Sequence, residues 1–366
     1  MTIEEFASFE RRQGERIHQI NGIYWRRVRP LFYRPLLPYQ EYPPPSVSSP
    51  LAAFFGGFQH AVSPHEGTNS FLNLLIFENP KAYCLGDLDR HERREIKRAA
   101  DDFTVSLVTD VNEFKVQAYR VYLSFYERTK YEYKSERRDA GNFSKWADSL
   151  FQNPKVIVLG AYKKNRELGA IGVWHLVEDT LVYSTFFCET ESLKMHATGF
   201  MLHKVQEAAA GCQAIKQIFI GNYKYTAVKG VDDFYLARGC KLVRKTAFLH
   251  INPLTAFFLK RFLPEQYARL RGDAIKDAQG DRDFERATPS QNEKPSICTI
   301  PGGDKGSRIE QGHPAAMTAP CSAARLEAAK TIPVAARGQG CCGAASPLQP
   351  ESLTKIETRP LDLGAS

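Results

Sequence analysis

The sequence predicts a mixed α/β (α+β) domain, a mixed sheet flanked by helices, followed by a disordered C-terminal tail. Three observations carry this. Over residues 104–253 the apolar pattern switches repeatedly between a period of two and a period near 3.6, so strand and helix signals alternate. Between residues 155 and 189 three strand-like runs are separated only by NRE (165–167) and ED (178–179), spacings short enough for hairpins. Every Phe, Tyr and Trp lies at or before Phe284, and Pro, Gly, Ala and Ser dominate residues 285–366. That segment therefore lacks the apolar area that would offset its ordering entropy.

The elements run in order along the chain. Residues 3–20 read as a polar helix. GIYWRRVRPLFYRPLLP (22–38) alternates apolar and basic residues and reads as strand, and YPPPSVSSP (42–50) is a polyproline-like break. SFLNLLIFEN (70–79) is a short buried strand. Residues 87–103, opening on Asp87 as N-cap, form a helix with a dense cluster of charge. TVSLVTD (104–110) is β-branched and alternating, hence strand. Asp110 with Glu113 makes a capping-box pattern for a helix to Thr129, and a second helix runs over 142–154, stopped at Asn153-Pro154. Strands over 155–164, 168–177 and 180–189 come next. A loop (190–198) then leads into a helix (199–211) and a strand (214–222). A short helix presents Phe234 and Tyr235 and stops at Gly239, and a strand over 241–251 closes the sheet.

Composition bounds the function. The net charge of +8 and a pI near 9.0 favour an anionic partner: a nucleotide cofactor, RNA or an acidic membrane surface. The eight cysteines form no CxxC pair and have no histidine at ligand spacing, so no metal is expected. A chain with this much core has no need of a disulfide scaffold. The N-terminus lacks an apolar signal core, and no run approaches the ~20 apolar residues of a membrane-spanning helix, so a cytoplasmic location is expected.

The order over residues 104–253, β-α-α-β-β-β-loop-α-β-α-β, resembles the GNAT N-acetyltransferase fold. LGAIGVWHLVEDTLVYSTFFCE (168–189) resembles that family's central hairpin. SLKMHATGFMLHKVQEAAAGC (192–212) occupies the place of its cofactor loop and following helix, and FYLARGCKLVRK (234–245) resembles its closing signature. LGDLDRHERREIKRAADDFTVSLVTDVNEF (85–114) resembles the segment between the two halves of Fem-type peptidyltransferases and GNAT proteins of polysaccharide clusters. Two departures stand out. Only Gly199 occupies a glycine place of the cofactor loop, and the stretch from Asn222 to Tyr235 is longer than in plain acetyltransferases, closer to the Fem-like branch.

The resemblance implies an N-terminal GNAT-like half or extension (1–103) and an acyltransferase domain (104–270) ahead of the tail (285–366). It implies an N-acyltransferase that moves an acyl group, acetyl first, from acetyl-CoA or a longer acyl-CoA to a small-molecule amine or amino sugar. The alternatives are an aminoacyl-tRNA-dependent Fem-type transferase, with tRNA as partner, and a non-catalytic binding module. In the implied site, Lys194, His196, Thr198, Gly199 and Phe200 surround a helix N-terminus that holds the pyrophosphate. Backbone groups at Phe186, Phe187 and Cys188 meet the pantetheine arm and thioester where two strands part, with Asn222 on the facing strand. Glu189 or Glu191 takes the amine proton, and Tyr235 protonates the leaving thiolate.

Overall fold

The computed structural model describes residues 1–43, 47–65, 67–130, 134–223 and 230–273. The expected tail at 285–366 lies outside the described residues. The chain begins α1 (Ile3–Arg12), β1 (Ile17–Ile20), β2 (Ile23–Arg29), β3 (Phe32–Pro35), β4 (Gly57–Ala61), β5 (Ser70–Phe77) and α2 (Arg90–Asp102). It continues with β6 (Phe103–Leu107), α3 (Val111–Thr129), α4 (Ala140–Phe151), β7 (Val156–Lys163), β8 (Leu168–Val177) and β9 (Thr180–Cys188). Then come α5 (Thr190–Lys194), α6 (Ala197–Ala210), β10 (Gln217–Asn222), α7 (Val231–Leu236), β11 (Lys241–Ile251), α8 (Pro253–Phe262) and α9 (Pro264–Arg271). From β6 to β11 this is the GNAT-like order that the sequence resembles.

All eleven strands of the described residues join one mixed sheet, in the order β1-β2-β3-β4-β11-β5-β10-β9-β8-β7-β6. Residues 1–103 and 104–270 share it. β6 to β9 form an antiparallel meander, β9 pairs parallel with β10, and β10 runs antiparallel to β5. Both faces are covered, so central strands carry apolar residues on both sides. In β5, Leu74 and Ile76 pack with α1, α3 and α4 through Phe9, Phe114 and Trp146. Their neighbours Leu75 and Phe77 pack on the other face with α6 and α7 through Leu202, Val205 and Tyr235. The period-two geometry of a strand sends consecutive side chains to opposite faces.

Several sequence expectations need correction. The helix expected over 3–20 stops at Arg12: Gly14 turns left-handed (φ 86°), and β1 and β2 then form a hairpin about Asn21 (φ 48°) and Gly22 (φ 79°). The strand expected over 22–38 is two strands, broken where Leu31 adopts φ 60°. The helix expected from Asp87 starts at Arg90, with Asp89 in the N-cap position. The loop 190–198 contains α5. β11 does not close the sheet; it lies inside it, antiparallel to both β4 and β5. Strand pairing of this range is a long-distance choice that local pattern does not encode. The capping at Asp110 is as expected, its carboxylate accepting from the Asn112 and Glu113 amides at 2.7 and 3.3 Å.

Candidate functional site

The sheet opens between β9 and β10. β9 and β10 pair only through Thr180, Leu181 and Val182, opposite Gln217, Ile218 and Phe219. Both strands then leave register. β9 bulges at Ser184 against β8, because Val173 faces Thr185 while Trp174 faces Tyr183. β10 bulges at Ile220 against β5. Each extra residue bends its strand and leaves backbone groups out of the ladder. From Tyr183 onward the β10-facing edge of β9 has no strand partner among the described residues.

A cavity of about 460 Å³ fills the opening on the α1/α3/α4 face. Tyr183, Ser184 and Thr185 form one wall and Gly221 and Asn222 another. Apart from Gln13, its remaining polar lining is charged and comes from parts of the chain to which sequence reasoning assigned no role. Glu10 of α1 is only 7% exposed. Burial pushes its carboxyl above the usual carboxylate range, against the opposing charge of Arg26. Arg26 sits 3.7 Å from Glu10 and 3.3 Å from Glu15, which also pairs with Lys134 at 3.1 Å. Arg137 stacks over Trp146, 4.4 Å from the ring centre. Arg34 of β3 donates to Gln59 Oε1 (2.6 Å) and Asn222 Oδ1 (3.3 Å), and its buried Nε has no protein partner. Among the described residues no carboxylate pairs with Arg34, and burial pulls its pKa down to about 10. A half-buried guanidinium without a counter-charge is an anion receptor. Glu10 had a sequence signal: Phe6 and Glu10 stand four apart on one helix, so an acid falls on the buried stripe.

The expected site residues divide into three groups. Asn222 lines the cavity. Tyr235 lies behind it, in the core on the opposite face. It is 8% exposed and edge-on to Tyr183, the ring centres 6.2 Å apart. Burial pushes the Tyr235 phenol up to about 12. Tyr183 thus connects the cavity to Tyr235.

The second group lies at the far end of β9. Thr185 to Glu189 is four residues, or about 13 Å of strand. Phe186 and Phe187 pair with β8, the Phe187 side chain is core, and the Cys188 carbonyl accepts from Arg128 (3.1 Å). Burial pushes the Cys188 thiol up to about 12. Glu189 pairs with Lys163 and accepts from the Ser192 hydroxyl at 2.8 Å. Glu191 is exposed and paired with Lys194 at 2.8 Å.

The third group surrounds the start of α6. His196 occupies the N-cap position with φ 61°, 3.3 Å from Glu95. Thr198 is half-buried in the first turn, and Phe200 packs in a cluster with Ile96 and Ala99 of α2. A Cβ at Gly199 would lie 3.0 Å from Nε of Arg238. Arg238 in turn is held by Glu92, by Glu95 at 3.0 Å, and by the Phe234 carbonyl at 3.1 Å. Two carboxylates and a buried guanidinium therefore face this helix end, beneath α2.

No family model matches the chain, and no curated protein matches it in sequence. Among solved structures it is similar to L-PGS from Bacillus licheniformis (TM-score 0.46, 13% identity, 74% of this chain and 97% of that one). It is similar to FemX (0.41, 11%, 56% and 74%) and to a GCN5-related N-acetyltransferase from Kribbella flavida (0.36, 14%, 69% and 96%).

Proposed function

We propose that the chain is an acyltransferase that delivers an acyl group to an amine at the parting of β9 and β10. The observation that carries this is the bulge at Ser184, which opens strand edge onto a cavity holding a buried carboxylate, Glu10, and a half-buried guanidinium, Arg34, that pairs with no carboxylate among the described residues. In this reading the amine nitrogen attacks the acyl carbonyl carbon and the C–N bond forms. Backbone N–H groups freed at the bulge receive the oxyanion. Glu10 takes the amine proton, a task suited by its raised pKa. The bond to the leaving sulphur or oxygen breaks, and that atom takes a proton from Tyr183, which is resupplied through Tyr235. Arg34 holds an anionic group of the donor or acceptor.

Acyl-CoA, acetyl-CoA first, is the donor that the GNAT resemblance implies, with a small amine or amino sugar as acceptor. One observation favours the second reading, an aminoacyl-tRNA donor. Glu92 and Glu95 face the start of α6, where a CoA pyrophosphate would have to lie, whereas the basic groups line the cavity. Melting temperature with acetyl-CoA, longer acyl-CoAs and aminoacylated tRNA separates the two, since a ligand at 100 times its Kd stabilises by about 2.7 kcal/mol. Mass spectrometry of an amine panel incubated with the donor that binds then reads transfer. If no donor stabilises the protein and no amine gains mass, the proposal fails.

A further inference from the structure

Where β4 begins and β11 ends, the protein carries an unpartnered apolar face. The turn Leu51–Phe54 exposes Leu51 (91%) and Phe54 (68%), and Phe55 follows. α8 exposes Leu254 (80%), Phe257 (69%), Phe258 and Phe262 and has no buried residue. These are one surface, because α8 is fastened to the turn. The Asn252 amide donates to Gly56 O (2.9 Å), Asn252 Nδ2 to Phe54 O (3.0 Å), and the Thr255 hydroxyl to Phe55 O (2.9 Å). Five Phe rings and two Leu side chains leave roughly several hundred Å² of apolar surface in water, the size that marks a site of contact.

The charge on this face chooses the occupant. Lys260 and Arg261 end α8, Arg269 lies in the last turn of α9, and the two helices carry one acid, Glu265. A second copy of the chain is a poor cover, since a twofold interface would bring these basic groups against each other. The sequence over 285–366 has no aromatic residue to interleave with the rings. An exposed aromatic face bordered by Lys and Arg matches an interfacial membrane element, in which rings enter the acyl boundary and cations meet anionic headgroups. No helix among the described residues is long and apolar enough to cross a bilayer, so contact would be at the surface. We infer that α8 and the Leu51–Phe54 turn dock the protein on an anionic lipid bilayer. This inference is independent of the transfer reaction.

The test is co-sedimentation of the full chain with vesicles of phosphatidylcholine alone, or with about one third phosphatidylglycerol. The protein should sediment with the mixed vesicles, weakly with phosphatidylcholine, and less in high salt. Phe257→Ser with Phe258→Ser should cut binding at least about tenfold. Lys260→Glu with Arg261→Glu should abolish the preference for anionic vesicles. All four side chains are exposed, so melting temperatures should stay within about 2 °C of wild type. No binding to mixed vesicles, undiminished binding by the double Ser variant, or equal binding to both vesicles would overturn the inference. So would sedimentation velocity showing a dimer that the double Ser variant dissociates.

Discussion

Replacing Glu10 by Gln removes a charge while keeping the shape of the side chain, and its effects on activity and stability should have opposite signs. Glu10 is 7% exposed, and burial raises its carboxyl above the ordinary value of 4.5. A carboxyl whose folded pKa exceeds its unfolded pKa binds its proton more tightly in the fold. It therefore contributes stability below the unfolded value, and that contribution is lost as pH rises through the folded value. At neutral pH the ionised Glu10 costs stability, and Gln does not. Nor does Gln orphan the neighbouring guanidinium, because Arg26 keeps Glu15 at 3.3 Å, closer than Glu10 at 3.7 Å. Glu10→Gln should melt at or above the wild-type temperature at pH 7, by about 2–4 °C for each kcal/mol regained, with the gap narrowing toward pH 4. Turnover should fall by about 10²- to 10⁴-fold, the scale of a lost general base. In wild type the acid limb of kcat/KM should lie above the usual carboxylate range, and the variant should lose that limb. The assays are scanning calorimetry at both pH values and transfer to an amine panel with the donor that binds. Wild-type turnover in Glu10→Gln, or turnover and stability falling together, would refute the reasoning.

Other positions give independent checks. Tyr235→Phe removes only the hydroxyl of a buried ring and should cost about 1 kcal/mol, yet lower turnover by about 10²-fold. Tyr235→Ala should cost about 3–5 kcal/mol through its cavity, and normal turnover in the Phe variant would reduce Tyr235 to packing. Gly199→Ala gains helix propensity but drives a Cβ to 3.0 Å from the fixed Arg238 guanidinium, so a net loss of about 1–3 kcal/mol is expected; a higher melting point would disprove the close approach. His175 lies between Phe6 and Phe9, and burial pulls its pKa down to about 3, so it is neutral in the fold. Its stability contribution is full above 6.5 and lost as pH falls toward 3, about 1.4 kcal/mol per unit. Denaturant unfolding at pH 7 and 5 should therefore show His175→Phe losing about 2 kcal/mol less than wild type, and parallel losses would contradict the burial account.

The elements from Thr104 onward were legible because each has a strong local signal. Asp110 caps α3, the short spacings of β7, β8 and β9 enforce hairpins, and Gly239 ends the turn before β11 with φ 87°. The N-terminal third was less legible. Its strands are short, and the breaks at Gly14 and Leu31 lie inside runs whose apolar and charged residues suit either helix or strand. The site was legible only in part. Strand parting was expected near Phe186 to Cys188; β9 leaves β10 from Tyr183 onward, so the parted edge includes those residues and begins earlier, beside the bulge at Ser184, which only the pairing of neighbouring strands reveals.

The sequence by itself determined the αβ order from Thr104 onward, the Asp110 cap, the buried strand over 70–79 and the basic charge, all of which depend on residues near one another in the chain. Tertiary structure alone decided that β11 enters between β4 and β5, and that α2 brings Glu92 and Glu95 to the start of α6. It alone gathered Glu10, Arg34, Lys134 and Ser184 around one cavity. These residues come from four separate elements or loops, and their meeting depends on strand pairings tens to hundreds of residues apart. Local propensity does not encode such pairings, and burial, which moves the pKa of Glu10 and Arg34, exists only once they have formed.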